Sequence, residues 1–185
     1  MIGGVGTNSG PATGPRPASR LAGLAPYRAQ AGRGDAGLII DLNEGAGPGE
    51  AVRAVLASIS ADALRRYPGP AELEARIAAE HGIAADRVVV TNGGDDAIDR
   101  VCRSVVEPGR VAVGHGPSFE MIPRRVRLAG GAWREIEWLG GDFPLEAMLG
   151  AIDESVSLVS LVSPNNPTGG VVPIEKDEIP ENAGQ

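Results

Sequence analysis

Short apolar stretches alternate with helical patterns between residues 86 and 162, and this alternation constrains the fold more than any other feature of the sequence. The apolar stretches that we predict to be strands lie at residues 88–90, 111–113, 132–138 and 156–162. Consecutive parallel strands need a long crossover, usually a helix, whereas antiparallel strands are joined by short turns. The order of elements therefore predicts an α/β domain with a mostly parallel sheet and flanking helices.

Helices are predicted where apolar residues recur at a spacing of three or four. Such segments lie at residues 50–59, 70–81, 95–106, 118–128 and 145–152. Pro70 suits the first turn of the second helix, and Gly82 suits its end. Ser118 is expected to cap the fourth helix, with Pro123 in its first turn or bending it. Residues 114–117 are predicted to be a loop.

Composition divides the chain into four parts. Residues 1–19 are rich in Gly, Ser, Thr and Pro and are expected to be a disordered arm. Residues 20–49, which include a short predicted strand at 38–40, precede the α/β domain at 50–173. Residues 174–185 form a polar tail.

Charge and composition argue against several classes of function. The net charge of −7 makes nucleic acid or an anionic membrane surface an unfavourable main partner. No apolar stretch is long enough to span a bilayer, and the N-terminus lacks the pattern of a secretory signal. The single cysteine, Cys102, suits a reducing cytoplasm and has the spacing of a core residue. His81 and His115 are too few and too scattered to predict a metal site.

The last predicted strand is followed by the sequence SPNNPTGG, from Ser163 to Gly170. Two prolines and two glycines force a loop at the carboxyl end of the strand. In an open parallel sheet this is the edge where ligands bind, and a side-chain amide held there can donate to a ligand oxygen. The same residue types are ordinary in a strand-to-helix turn, and the loop taken alone favours that interpretation.

A second candidate site lies where a predicted strand turns into a helix at Gly93 and Gly94. The first N–H groups of a helix lack intrahelical partners, and the helix dipole favours an anion there. Glycine also allows a phosphate to approach closely. The alternative is that Asn92 or Asp95 simply caps the helix, and the segment taken alone favours this alternative.

Four segments together resemble the class I and II pyridoxal-phosphate-dependent aminotransferases, and the pattern is most similar to histidinol-phosphate aminotransferase. The segments are RRYPGP, TNGGDDAID, GPSFEMI and SPNNPTGG. The resemblance covers roughly residues 20–173, about the first half of a family member. It implies an incomplete large domain of the aspartate-aminotransferase fold, with an unpaired sheet edge, exposed apolar faces and poor solubility or self-association.

The resemblance also implies roles for five residues toward pyridoxal phosphate. Asn166 would hydrogen-bond the phenolic oxygen of the cofactor, and the backbone at Gly94 and Asp95 would contact its phosphate. Phe119 would stack on the pyridine ring, in a position where the family usually has tyrosine. Tyr67 would reach across a homodimer interface to the phosphate of the neighbouring subunit. From the residues alone, Phe119 could equally be a core residue and Tyr67 a loop aromatic.

The resemblance also implies a substrate site, to which two further residues, Tyr27 and Asn43, would belong. Each matches a family residue that lines the substrate site, and the Asn43 segment is shorter here than in the family. The implied reaction transfers an amino group from a small amino compound to a 2-oxo acid in cytoplasmic amino-acid biosynthesis.

The family needs a lysine that holds the cofactor as a Schiff base and moves the proton. The single lysine of this chain, Lys176, lies in the polar tail, where a solvated charge is expected. We therefore expect no catalytic residue here and an inactive chain from a truncated or frame-shifted gene. The alternatives are a related decarboxylase that makes an amino-alcohol phosphate, a non-catalytic protein that binds the cofactor or phosphate, and a fragment that pairs with a separately encoded second half.

Overall fold

The computed structural model describes residues 18–25 and 46–173 of the chain, and they belong to two compact units. The larger unit comprises Met1–Leu24 and Thr91–Gln185, and the smaller unit comprises Ala25–Val90. The predicted strand at residues 38–40, the polar tail and the predicted arm up to residue 17 lie outside the described residues.

The larger unit is built on a three-stranded parallel sheet. Its strands are β1 (Val111–Gly116), β2 (Ala132–Glu137) and β3 (Val156–Ser160), in the order β2-β1-β3. β1 pairs with β2 from Val111↔Ala132 to Gly116↔Glu137 and with β3 up to Gly114↔Ser160. The parallel α/β sheet predicted from the order of elements is confirmed.

Three helices connect and cover these strands. They are α4 (Gly93–Val105), α5 (Met121–Ala129) and α6 (Leu145–Gly150). The core joins α4 and α5 to β1 through Cys102, Val106, Ala112 and Val126, each at most 5% exposed. Because side chains alternate along a strand, His115 points to the face opposite Ala112.

The described residues of the smaller unit form helices and the turns between them. They are α1 (Glu50–Ala57), α2 (Ala61–Leu64) and α3 (Ala71–His81), followed by a 3-10 turn at Ala85–Arg87. α3 begins directly after Pro70, and Gly82 ends it in the left-handed conformation at φ 66°, as the sequence predicted. The short α2 was not predicted.

Four details of the sequence prediction are wrong. Residues 88–90 form no strand: Val89 is 66% exposed, and no described strand pairs with this segment. Residues 114–116 belong to β1 and not to a loop. β3 ends at Ser160 and is only half-buried, because it is an edge strand of the sheet. Ser118 does not cap α5, whose preceding residue is Glu120, and its hydroxyl bonds Asn165 instead.

Apolar surface is exposed on α1 and along the edge strand. Val52, Val55, Leu56 and Ile59 are each at least 43% exposed, as are Leu161 and Val171 in the segment after β3. Among the described residues, β2 and β3 each have a strand on one side only. None of the helices in residues 18–25 and 46–173 is long and apolar enough to cross a membrane.

Candidate functional site

The candidate site lies at the carboxyl edge of the parallel sheet. Phe119 follows β1 by three residues, and the loop at residues 163–170 follows β3. α4 leads into the start of β1 and packs along the sheet, so its N-terminus is directed toward the same edge. Ligands of open α/β sheets bind at this edge.

The side chain of Asn165 anchors the loop after β3. It is 3% exposed, and its Nδ2 donates to the carbonyl oxygen of Pro117 at 2.9 Å and to Oγ1 of Thr168 at 2.7 Å. Its Oδ1 accepts a hydrogen bond from Oγ of Ser118 at 2.8 Å. The amide is therefore fully used inside the protein, and it joins the segment after β1 to the loop after β3.

The backbone of the same loop is closed by two short hydrogen bonds. The N–H of Asn165 donates to the carbonyl of Gly170, and the N–H of Gly169 donates to the carbonyl of Asn165, each at 2.7 Å. Gly169 has a φ of 74°, which favours glycine, and a Cβ at Gly170 would lie 2.6 Å from the Trp138 ring. These constraints hold the loop in one conformation.

Asn166 lies next to this anchor but is exposed. Its side-chain amide forms no hydrogen bond with any described residue, in contrast to the buried amide of Asn165. A rigid loop thus presents a free amide at the ligand edge of the sheet. The amide can donate a hydrogen bond to a bound polar group or accept one from it.

Phe119 is half-buried and borders a small pocket at the end of β1 with Ser118, Trp133 and Glu135. The glycines of β1 leave room for these side chains. A Cβ at Gly114 would lie 2.1 Å from the Trp133 ring, and one at Gly116 would lie 2.2 Å from the Glu135 carboxyl carbon. The pocket therefore has an aromatic side and an acidic side.

The start of α4 is capped by Asp96, and not by Asn92 or Asp95 as expected. The Asn92 side chain forms no capping bond. Oδ2 of Asp96 accepts from the Asn92 N–H at 2.9 Å and from Nε of Arg100 at 3.0 Å. The bond to Arg100, followed by the bond to Asn92, lowers the pKa of Asp96. The backbone N–H groups of Gly94 and Asp95 have no acceptor among the described residues, so they remain available to an anion.

His115 is the titratable side chain that is buried at the end of β1, with 2% of its surface exposed. Its Nε2 accepts a hydrogen bond from the N–H of Val162 at 3.0 Å. The rings of Trp138 and Phe143 lie nearly perpendicular to it, with centroids 5.0 and 5.9 Å away. Burial lowers the pKa of this imidazole, which keeps it neutral near pH 7.

The remaining predicted site residues do not belong to the described part of the larger unit. Tyr67 belongs to the smaller unit and is fully exposed. Tyr27 and Asn43 lie outside the described residues, as does Lys176, for which no catalytic role was predicted. No group of His, Cys, Asp and Glu side chains in the described part of the chain could hold a metal ion.

Three residues with clear structural roles at the site were missed by sequence reasoning. Asn165 and Asn166 are adjacent and chemically identical, so the sequence alone does not say which one is buried. Ser118 was assigned to a helix cap, a role that its residue type also favours. His115 had one usable signal, because it lies two residues after the apolar run at 111–113 and could belong to the same strand.

Comparison with known proteins places these features in one family. The profile of the family described as aminotransferase class I and II matches residues 39–178. A histidinol-phosphate aminotransferase from Sphingopyxis alaskensis is 34% identical over 176 residues, which cover 88% of this chain and 46% of that protein. Another from Paenarthrobacter aurescens is 31% identical over 182 residues, which cover 90% of this chain and 47% of that protein.

Solved structures show the same similarity. An aspartate aminotransferase from Thermotoga maritima superposes with a TM-score of 0.56 at 29% identity, over 66% of this chain and 34% of that one. A histidinol-phosphate aminotransferase from Sinorhizobium meliloti, in complex with pyridoxal-5'-phosphate, gives a TM-score of 0.59 at 24% identity, over 65% of this chain and 34% of that one. The fold is that of aspartate aminotransferase, present in part. The chain spans between 30% and 47% of the length of the curated relatives compared with it.

Proposed function

The chain belongs to the class I and II aminotransferase family, and from this premise we propose that it is the cofactor-holding N-terminal part of a pyridoxal-phosphate-dependent aminotransferase of the histidinol-phosphate type. The observation that carries the proposal is the contrast between two neighbouring amides. Asn165 is buried and fully bonded, whereas Asn166 is exposed and free on the same rigid loop.

The residues at the sheet edge fit pyridoxal phosphate by the chemistry of their donors. Pyridoxal phosphate, when bound, supplies an electron sink for carbanion chemistry at an amino acid. The free amide of Asn166 would donate to the ring oxygen, and the half-buried Phe119 would pack against a ring face. The unpaired N–H groups of Gly94 and Asp95, at the positive end of α4, would bind the phosphate.

The whole enzyme would use further residues for its substrate and its partner subunit. We propose that Tyr67, which is fully exposed in the smaller unit, contacts the cofactor phosphate of the partner subunit in a homodimer. Tyr27 and Asn43 would line the site for the amino donor and the 2-oxo acid. The single thiol, Cys102, is buried and unpaired, which agrees with a cytoplasmic enzyme.

Covalent attachment of the cofactor needs a lysine, and the described residues contain none. The single lysine, Lys176, belongs to the polar tail of the sequence beside Glu175, Asp177 and Glu178, where we expect a solvated charge. We therefore propose that the 185-residue chain binds the cofactor without covalent attachment and does not transaminate. Borohydride reduction would convert a Schiff base at Lys176 into a stable adduct. Intact-mass measurement after reduction should therefore show no cofactor adduct at Lys176, that is, none that the unmodified chain has and Lys176→Ala lacks.

The proposal is tested by titrating the chain with pyridoxal phosphate and following tryptophan fluorescence. Both tryptophans, Trp133 and Trp138, belong to the larger unit, so the signal reports on this site. Asn166→Asp keeps the shape of the side chain but replaces the donor with a carboxylate, and we expect binding about tenfold weaker or worse. The control Val171→Ala changes an exposed side chain nearby and should leave the affinity unchanged. Equal affinity for Asn166→Asp and the unmodified chain would overturn the proposed role of Asn166.

A further inference from the structure

We propose that His115 is a positioning residue for the Asn166 loop and that it holds the loop only while its imidazole is neutral. The holding contact is the hydrogen bond from the Val162 N–H to Nε2 of His115, at 3.0 Å. The consequence for cofactor binding rests on the function proposed above for Asn166. The contact itself and its dependence on pH do not rest on that function.

Val162 occupies the point where the sheet gives way to the loop. The last registered pair between β1 and β3 is Gly114↔Ser160, so the strand pairing ends two residues before Val162. The next hydrogen bonds that tie this segment to β1 and to the residues after it are the bond at His115 and then the bonds of Asn165 to Pro117 and Ser118. His115 thus continues the strand pairing by means of a side chain.

The geometry assigns the tautomer of the imidazole. An Nε2 that accepts from a backbone N–H must carry a lone pair, so the ring proton lies on Nδ1. Protonation would add a hydrogen at Nε2 that points at the Val162 N–H, and the hydrogen bond would be replaced by two opposed donors. The bond therefore requires the neutral ring.

The surroundings of His115 make the charged form costly. His115 is 2% exposed, and its neighbours Trp138 and Phe143 carry no charge that could stabilise an imidazolium. Nδ1 has no hydrogen-bond partner among the described residues, so neither nitrogen would be solvated in the charged ring. The charged group that acts on His115 from the packed elements is Glu135 of β2, which favours protonation; burial is the larger effect, and it lowers the pKa.

The direction of the pH effect follows from this lowered pKa. The unfolded imidazole has a pKa of 6.5, and the folded one lies below it. The folded state is therefore favoured above pH 6.5, and this contribution is lost as the pH falls through the folded pKa. In mildly acidic solution the loop should detach at Val162 before the rest of the larger unit opens.

Hydrogen exchange of the Val162 amide, followed by NMR on the 185-residue chain, tests the inference without any cofactor. In the unmodified protein, we expect the protection factor of this amide to fall about tenfold between pH 7.5 and pH 5.0, as expected for one lost hydrogen bond. His115→Gln places a non-titrating acceptor near the Nε2 position, and protection should then be equal at both pH values. His115→Phe removes the acceptor, and protection should be low at both.

The second histidine provides a matched control. His81 lies at the end of α3 in the smaller unit and is exposed, so His81→Gln should retain the full pH response at Val162. An unchanged protection factor in the unmodified protein, or the same pH response in His115→Gln, would overturn the inference. Because the exchange of Val162 requires no pyridoxal phosphate, these outcomes are independent of whether Asn166 binds the cofactor.

Discussion

Oγ of Ser118 donates a hydrogen bond to Oδ1 of Asn165 at 2.8 Å, across 47 residues of sequence. Each partner directly precedes a residue that we propose binds the cofactor: Phe119 follows Ser118, and Asn166 follows Asn165. The contact therefore fixes the ring-stacking residue and the free amide relative to each other. A buried polar network of this kind positions side chains at a site without taking part in the chemistry.

The two asparagines should differ in what they contribute to stability. Asn165→Ala removes three partly buried hydrogen bonds and leaves the Pro117 carbonyl without its side-chain partner, so we expect the free energy of unfolding to fall by about 2–3 kcal/mol. Asn166→Ala alters an exposed, unbonded side chain and should change it by less than about 0.5 kcal/mol. Urea unfolding followed by tryptophan fluorescence measures both. Equal losses in the two variants would contradict the division of roles.

The glycine at position 114 should be required for packing across β1. A methyl group there would overlap the Trp133 ring, whose Cη2 lies 2.1 Å from the position of the added Cβ. We expect Gly114→Ala to destabilise the larger unit by about 1–3 kcal/mol and to shift the tryptophan emission. Gly150→Ala is the control. Gly150 is the last residue of α6, and an added Cβ there meets no atom within 4 Å, so this substitution should not destabilise the larger unit. If Gly114→Ala left the stability of the larger unit unchanged, Trp133 would not lie over this glycine.

The thiol of Cys102 should react only when the larger unit opens. It is 1% exposed in the core between α4, α5 and β1, and burial raises its pKa. Because the chain has one cysteine, Ellman's reagent gives a single unambiguous rate. We expect this rate to increase at least tenfold in Asn165→Ala and to stay unchanged in Asn166→Ala, since only the first favours opening. A fast reaction in the unmodified folded chain would be inconsistent with the core described here.

Asp153 should titrate at unusually low pH. Its carboxylate accepts hydrogen bonds from the hydroxyl and N–H of Ser155 and from Arg134, and these lower its pKa from 3.8 to about 2. Because the folded pKa is the lower one, the stabilising contribution is complete above pH 3.8 and is lost as the pH falls toward 2. NMR titration of the carboxyl carbon should give the low midpoint, and Ser155→Ala should raise it. A midpoint near 3.8 in the unmodified chain would contradict the bonding described.

Local signals in the sequence were sufficient for most helices and for the parallel sheet. Pro70 and Gly82 bound α3 because their backbone preferences act within a few residues. The strand predicted at residues 88–90 was wrong for a different reason. Its valines have the right propensity, but a strand also needs a partner, and none of the described strands pairs with it.

The site was predictable only in part, because its decisive contacts join distant segments. The motif at residues 163–170 located the loop, and the apolar run before it located the sheet edge. The burial of Asn165 depends on Pro117 and Ser118, which lie 48 and 47 residues away. Likewise, the capping role of Asp96 rather than Asp95 depends on the orientation of the first turn of α4, which residue type does not determine.

We propose that the larger unit carries a preformed part of the pyridoxal-phosphate site, and amide NMR during titration with the cofactor can detect binding there residue by residue. We expect chemical-shift changes at the backbone amides of Gly94 and Asp95, at the side-chain amide of Asn166 and near Phe119. Inorganic phosphate should reproduce only the changes at Gly94 and Asp95, and pyridoxal only those at Asn166 and Phe119. Changes scattered over the rest of the larger unit, or none at millimolar cofactor, would contradict binding at this site.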